Sequence, residues 1–206
     1  MNSVNTHSTG KQLLVLFDFD GTLTHKDTLF EFTRYAVGTA RFLFGLMILA
    51  IPLVLQKLKV VSAQRAKEIF LSHFFGEMGL EDFDKCCSSF CATVLPALVR
   101  QKAMHAILHH QKEGAKIIII SASPANWIRP WASKNNIETI ATELETKNNK
   151  LTGKIAGANC NGEEKVNRLK AYLDLKQFDQ IIAYGDTAGD LPMLNLATTK
   201  FFKPFR

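Results

Sequence analysis

Two carboxylates separated by one residue, Asp18 and Asp20, directly follow the apolar run Leu13–Phe17. Such an unbroken run predicts a strand that is buried on both faces. In an open parallel sheet, ligands bind beyond the carboxyl ends of the strands. We therefore expect both carboxylates to lie at a site of chemistry, with Gly21 allowing a tight turn after them. An ordinary solvated Asp-Gly turn is the alternative interpretation.

Polar residues also stand at the ends of two other predicted strands, Ser121 and Asp186, and at the starts of two predicted helices, Lys165 and Asp190. Carboxylates gathered at one edge of a sheet repel one another unless a hard cation neutralises them, and oxygen ligands of this kind favour Mg²⁺. Ser121, Lys165 and the backbone N–H of Ala122 can hold the oxygens of a phosphate.

The spacing of the first two carboxylates suits phosphoryl transfer. A carboxylate that is freed of repulsion and faces phosphorus can act as a nucleophile. A second carboxylate two residues further on, Asp20, can protonate the leaving group and then activate water. The residues therefore predict an aspartyl-phosphate intermediate, with the charge of the transition state offset by Mg²⁺ and Lys165.

These residues resemble the four motifs of the haloacid dehalogenase (HAD) superfamily of phosphohydrolases, which occur in order between residues 13 and 196. The motif Asp-x-Asp-Gly-Thr matches residues 18–22, and the motif Gly-Asp-x₃-Asp matches residues 185–190. The strand-end Ser or Thr of the second motif matches Ser121, and the Lys of the third motif matches Lys165.

The resemblance implies a role for each matched residue. Asp18 is the nucleophile, and Asp20 is the acid and base that also gives Mg²⁺ its backbone carbonyl. Asp186 is a direct metal ligand, whereas Asp190 orients a water bound to the metal. Ser121 and Lys165 bind the phosphate.

Strands that alternate with helices predict an α/β fold with a Rossmann-like, doubly wound parallel sheet. The strand ends at Asp18 and Ser121 are separated by 103 residues, whereas a βαβ unit needs only about 30. We therefore expect a helical cap over the carboxylates. The predicted boundaries are a loose tail at 1–12, a core domain of 13–26 and 96–206, and a cap of 27–95.

Local signals predict details within these units. Breaks in the helical cap are expected near Gly38, near Pro52 and at 76–79. One continuous helix is predicted over 96–113, and a β-hairpin is predicted over 143–155.

The excess positive charge lies in one part of the sequence. The net charge is +6, and the window 32–67 contains six basic residues but no Asp or Glu. It also includes an uncharged apolar stretch of fourteen residues, 42–55, whereas a membrane-spanning helix needs about 20. We expect residues 36–59 either to contact an anionic membrane surface or to pack within the cap, and a true membrane span is a third alternative. The mixture of basic and aliphatic residues argues against nucleic acid as a partner.

The sequence of the cap is compatible with several substrates. Its position after the first motif resembles the phosphoserine-phosphatase-like branch (subfamily IB, with a C1 cap), in which an acidic residue and an Arg hold the amino acid. Glu31 and Arg34 are the candidates for these roles. The apolar stretch and the Cys-x-Gly-x-Glu-Lys pattern at 160–165 resemble the phosphatidylglycerophosphatase C type, which implies a lipid phosphate. A generic small-molecule phosphatase and a catalytically silent, membrane-associated scaffold are also compatible with the sequence.

Composition suggests the cellular compartment. The four cysteines form no Cys-x-x-Cys pair, which does not favour a disulfide framework. Residues 1–11 lack the basic start and apolar centre of a signal peptide. We expect a cytoplasmic protein, peripheral on the inner face of the membrane if 36–59 contacts lipid. The sequence does not indicate the oligomeric state.

Overall fold

A parallel β-sheet forms the centre of the structure, a computed structural model that describes residues 12–58 and 60–206. This sheet has five strands in the order β3-β2-β1-β6-β7, and all neighbouring strands are parallel. Strands β4 and β5 form a separate antiparallel hairpin. The strands are β1 (Leu13–Phe17), β2 (Lys116–Pro124), β3 (Glu138–Thr142), β4 (Leu144–Lys147), β5 (Lys150–Ile155), β6 (Gln180–Gly185) and β7 (Thr199–Phe202).

Helices flank the sheet, and six of them lie between β1 and the helix that leads into β2. This arrangement confirms the predicted α/β fold with a helical insertion. The helices are α1 (Thr28–Val37), α2 (Thr39–Ile48), α3 (Ala50–Lys57), α4 (Ala63–Phe75), α5 (Leu80–Thr93), α6 (Leu95–Leu98), α7 (Gln101–Lys112), α8 (Ala125–Lys134), α9 (Glu163–Tyr172) and α10 (Leu191–Leu194).

The apolar run of β1 makes it the central strand. Alternate side chains enter two hydrophobic clusters, one around Val15 and Phe17 and the other around Leu14 and Leu16. All four residues are fully buried, and each contributes about 1.5–3 kcal/mol to folding relative to an exposed side chain. The backbone pairing continues past the strand, because Asp18 N–H donates to Tyr184 O at 2.9 Å. Packing of β1 thus fixes the position of Asp18.

The breaks between the cap helices differ from the prediction at one position. The expected breaks at Gly38 and at 76–79 are present, but the break expected at Pro52 lies at Leu49, between α2 and α3. Pro52 instead lies in the first turn of α3. The N–H groups of a first turn have no partner within the helix, so the missing N–H of proline costs no hydrogen bond there.

The helix predicted over 96–113 is two helices, α6 and α7. They are separated where the chain returns from the cap to the core. Val99 pairs with Thr24 there, and Arg100 N–H donates to Leu23 O at 2.8 Å. Pairing between distant segments therefore overrides the local helical pattern at this point.

The β4–β5 hairpin is present as predicted, and it contacts the cap. Asn148 and Asn149 have positive φ angles of 52° and 58° at its turn. Its backbone then bonds the loop between α4 and α5: Glu77 N–H donates to Leu151 O at 2.9 Å, and Leu80 N–H donates to Asn149 O at 2.8 Å. The cap is thus held at the hairpin as well as at the chain crossing.

The division into separate core and cap domains stays a prediction. Residues 1–11 of the predicted tail lie outside the described residues.

The contact between the hairpin and α4 depends on the absence of a side chain at Gly153. Its φ is +77°, and an added Cβ would lie 2.3 Å from Ser72 Cα. We expect Gly153→Ala to destabilise the fold by about 3 kcal/mol, combining left-handed strain with steric overlap. Urea unfolding measures the change.

Gly157→Ala is the matched control, because φ there is +83° and a Cβ meets nothing within 4 Å. It should cost about 1 kcal/mol from strain alone. Equal losses in the two variants would contradict close packing of the hairpin on the cap.

Candidate active site

A wide turn after β1 directs the first two carboxylates away from the sheet. Residues 19–23 form this turn, which Thr24 N–H closes by donating to Phe19 O at 3.0 Å. Gly21 has a φ of +82°, and an added Cβ would lie 2.4 Å from Asp186 Oδ2. Glycine is therefore needed both for the turn and for the close approach of the Asp186 carboxylate.

A buried lysine connects the ends of three elements. Lys165, in the first turn of α9, donates from Nζ to Asp18 Oδ1 at 2.6 Å, to Asp190 Oδ1 at 2.6 Å and to Ile120 O at 3.0 Å. Burial by itself would lower the pKa of Lys165, but the two carboxylates raise it above the ordinary value. The ammonium group therefore stays charged and neutralises part of the site.

Asp18 is a carboxylate whose ionisation is opposed by its surroundings. Burial raises the pKa of Asp18 to about 7, although the charge of Lys165 acts in the opposite direction. The negative charge of Asp190 also raises this pKa. A divalent cation beside Asp18 would reverse the balance, because a nearby positive charge favours the ionised form.

The two carboxylates after β6 have different environments. Asp190 Oδ2 accepts from the N–H groups of Asp186 and Thr187 at 3.0 and 2.8 Å and from Thr187 Oγ1 at 2.9 Å. Burial would raise the pKa of Asp190, but Lys165 and these donors hold it below the ordinary value. Burial and the charge of Asp190 raise the pKa of Asp186, whose Oδ1 accepts from Thr22 Oγ1 at 3.3 Å.

The donor set fits a hard divalent cation. Asp18, Asp186 and Asp190 are buried, and each offers an oxygen that lies within 4.8 Å of the others. Carboxylate oxygens with room for waters and a substrate oxygen are the ligands that Mg²⁺ prefers. The buried cluster can therefore hold a metal ion.

Asp20 is held in a different way from these three residues. Its Oδ1 accepts from both the N–H and the hydroxyl of Thr28, each at 2.6 Å. Thr28 is the first residue of α1, so the carboxylate is bonded to the start of the cap. Trp127 Nε1 in turn donates to Thr28 Oγ1 at 3.0 Å, which fixes the hydroxyl that orients Asp20.

Asp18, Asp20 and Asp190 line a chamber of about 180 Å³ that lies between the sheet edge and the cap, whereas Asp186 does not line it. A second cavity of about 270 Å³, the annex, adjoins it beneath α3 and α4. Both cavities are lined by Asp27, Leu29, Lys67, Ala122 and Asn161.

Most of the residues predicted for the site line the chamber, namely Asp18, Asp20, Ser121, Ala122, Lys165 and Asp190. Ser121 Oγ accepts from Ser123 N–H at 3.0 Å. Glu31 and Arg34 line neither cavity. They bond each other at 2.6 Å instead, because a separation of three residues places them side by side on α1. The structure does not bring these two cap candidates to the site.

Lys67 is a cap residue of the site that the sequence did not single out. It counts among the basic residues of the 32–67 window, but its Nζ donates to Ala122 O and Asn159 Oδ1, both at 2.9 Å. Burial lowers the pKa of Lys67 despite the nearby carboxylates. Its position next to the inward-facing Ala66 of α4 is a weak signal that could have indicated this orientation.

Comparison with known proteins identifies the family. The family model described as haloacid dehalogenase-like hydrolase matches residues 15–195. The chain is also 31% identical over 196 residues to protein CicA of Caulobacter vibrioides, in an alignment that covers 94% of this chain and 87% of the relative. The chain belongs to the haloacid dehalogenase-like hydrolase family.

Solved structures share the fold. A protein of unknown function from Bordetella pertussis Tohama I superposes with a TM-score of 0.79 at 22% identity, covering 92% of this chain and 89% of the other. A phosphoserine phosphatase determined as a phospho-aspartyl intermediate analogue gives a TM-score of 0.66 at 20% identity, covering 92% and 85%. The family match and the shared fold together define a hydrolase of the haloacid dehalogenase-like family.

The raised pKa of Asp18 predicts how the stability of the metal-free protein depends on pH. Between about pH 4 and pH 7 the folded state binds a proton that the unfolded chain has lost. Folding stability should therefore decrease as the pH rises through this window, by about 2–4 kcal/mol. Urea unfolding in the presence of a chelator measures the slope.

Asp18→Asn is the comparison, because the amide cannot titrate and should lack this contribution. If wild type and Asp18→Asn had the same slope, the titrating group would be a different residue.

Proposed function

We propose that this chain is a Mg²⁺-dependent phosphomonoesterase that acts through an aspartyl-phosphate on Asp18. The observation that carries the proposal is that the buried Asp18 is bonded to Lys165 and lies close enough to Asp186 and Asp190 to share a metal ion with them. This arrangement provides a nucleophile, a fixed positive charge and a donor set for a hard cation in one place.

The residues of the site divide the chemistry between them. Lys165 holds Oδ1 of Asp18, so we assign Oδ2 to attack phosphorus as the bond to the leaving alcohol breaks. Asp20 gives its proton to the departing oxygen. In the second half of the reaction Asp20 takes a proton from water, which attacks the acyl-phosphate and releases inorganic phosphate and the Asp18 carboxylate.

Phosphate binding involves residues at the end of β2 and the start of α9. The Ser121 hydroxyl, the backbone after it and the Lys165 ammonium group face the chamber, where they can donate to phosphate oxygens. Asp18, Asp186 and the backbone carbonyl of Asp20 would hold Mg²⁺, and Asp190 would orient a metal-bound water. The cation supplies positive charge that offsets the charge on the transferring phosphoryl group.

The annex favours a substrate with an apolar part. Its walls include Leu29, Phe30, Ala66 and Phe70, so the space beyond the phosphate chamber is partly hydrophobic. A lipid phosphate monoester such as phosphatidylglycerophosphate suits this lining better than a small polar molecule does. Phosphoserine is the second candidate, because phosphoserine phosphatases share the fold and Lys67 offers a cation to a substrate carboxylate.

An exposed apolar surface on and just after α2 and α3 also favours a lipid substrate. Eight large apolar side chains there are 51–72% exposed. Large exposed apolar side chains concentrated in one segment are typical of an interaction site. We call these eight residues the exposed cap surface: Leu43, Phe44, Met47, Ile48, Ile51, Val54, Leu58 and Val60.

The location of this surface relates it to the active site. Helix α3 carries Ile51 and Val54 of the exposed cap surface and also places Gln56 in the wall of the annex. The exposed Arg41 lies on α2, and the window 32–67 lacks acidic residues. Apolar side chains with basic neighbours suit peripheral contact with an anionic membrane surface. We propose that the protein contacts such a surface through residues 36–59.

Within the described residues, no single helix is both long and apolar enough to cross a bilayer. Helices α2 and α3 meet these criteria jointly, but they are bent by 63° with respect to each other.

Replacement of the nucleophile tests the proposed chemistry. Asp18→Asn should reduce hydrolysis of an aryl phosphate in Mg²⁺ by at least about 10³-fold, because the amide cannot form the acyl-phosphate. It should also abolish trapping of radiolabelled phosphate on the protein after acid quenching.

Asp82→Asn is the matched control, since it makes the same chemical change at an exposed position in the cap. It should retain both signals. Full activity in Asp18→Asn would rule out this residue as the nucleophile.

Flotation with liposomes tests the membrane contact. Met47→Glu combined with Ile51→Glu should prevent flotation with anionic vesicles, because burying two charges at the bilayer interface is unfavourable. Leu108→Glu combined with Leu191→Glu, at two exposed apolar positions outside the cap, should float like wild type.

Rates on phosphatidylglycerophosphate vesicles and on phosphoserine then separate the two candidate substrates. Equal flotation of the two double variants would contradict the membrane contact. Faster turnover of phosphoserine would favour the second candidate.

A further inference from the structure

The segment after β7 folds back over the active-site end of the sheet. Lys203 N–H donates to Gly185 O at 2.8 Å, which turns the chain towards the end of β6. Phe205 then stacks on Tyr184, with ring centroids 5.4 Å apart and ring planes 15° apart. Its ring also lies 6.5 Å from that of Phe17. These contacts fix the path of the backbone that leads to Arg206.

Arg206 reaches one of the carboxylates proposed to hold the cation. Its guanidinium donates from Nη2 to Asp186 Oδ2 at 2.5 Å. The other oxygen, Oδ1, accepts from Thr22 Oγ1 at 3.3 Å. Both oxygens of Asp186 therefore have donors within the protein, and one of these donors carries a full positive charge.

The charges around Asp186 show why a counter-ion is needed there. Asp186 is 5% exposed, and its oxygens lie within 4.8 Å of oxygens of Asp18 and Asp190. Lys165 pairs with these two residues and not with Asp186. Arg206 thus supplies the third carboxylate of the cluster with the positive charge that Lys165 supplies to the other two.

The Arg206 side chain is accessible to solvent while it holds this position. It is 48% exposed, whereas Lys165 is 1% exposed. The exposed guanidinium regains hydration when the pair opens, so a cation that takes over the charge of the buried Asp186 can displace it. A divalent cation at Asp186 would be repelled by a guanidinium bonded to the same carboxylate.

We propose that Arg206 is the intramolecular counter-ion of Asp186 in the metal-free protein and that it competes with the divalent cation. This inference rests on the proposed metal dependence of the site. Cation binding then requires the guanidinium to withdraw from Oδ2, while Phe205 stays anchored on Tyr184. The affinity of the site for its cation is thereby reduced by a residue outside the four sequence motifs.

Direct measurement of cation binding tests this proposal without any substrate. Titration calorimetry with Mg²⁺, and electron paramagnetic resonance of free Mn²⁺, give the dissociation constants. Arg206→Gln should bind both ions about three- to tenfold more tightly than wild type. The gain should shrink at high ionic strength, because salt screens exposed charges.

Lys203→Gln is the matched control. It removes the same charge from the same segment, and the Lys203 ammonium group lies over the Phe202 ring at 5.1 Å rather than on a carboxylate. Its dissociation constants should stay within about twofold of the wild-type values, because Lys203 is exposed and its charge is screened by solvent and salt. Arg206→Lys should fall between wild type and Arg206→Gln.

The outcomes of these titrations separate this proposal from the proposed function. Weaker binding in Arg206→Gln would mean that Arg206 positions Asp186 for the metal, and unchanged binding would mean that the contact is irrelevant. Either result overturns competition and leaves the phosphatase proposal intact. Absence of cation binding in wild type would overturn both proposals.

Discussion

The active-site end of the molecule depends on the ammonium group of Lys165, which is buried between two carboxylates. Neither Asp18 nor Asp190 can be ionised at low cost in this environment without it. The same group also bonds the sheet, because it donates to the carbonyl of Ile120 in β2. One side chain on α9 thus joins the end of β1, the end of β2 and the turn that follows β6. Removing one member of such a buried pair typically costs about 3–5 kcal/mol.

The sequence predicted the core of this arrangement because its signals are local. Each site residue follows an apolar run or begins a helix, and parallel strands bring such ends to one edge. The burial of β1 and the position of Lys165 required no knowledge of the cap. The sites of the cap breaks were harder to predict, since Leu49 has no helix-breaking character and Val99 leaves the helix to pair with Thr24.

The positions of residues outside the motifs depend on how the helices pack and on where the chain returns to the site. Lys67 belongs to a basic window, yet it faces the chamber because α4 packs over the site. Glu31 and Arg34 have the residue types expected of a substrate clamp, but the rotation of α1 pairs them with each other. Arg206 belongs to none of the four motifs, so no spacing in the sequence pointed to it. Composition and spacing do not specify the rotation of a helix or the course of a returning segment.

The start of the cap is bonded directly to Asp20, the residue proposed as the general acid and base. The Thr28 hydroxyl has one proton, which it donates to Asp20 Oδ1, and it accepts the Trp127 indole N–H. Trp127 also stacks on Phe32 of the cap with ring centroids 4.5 Å apart. Any displacement of α1 from α8 would therefore break the Trp127–Thr28 bond, which holds the hydroxyl that donates to Asp20.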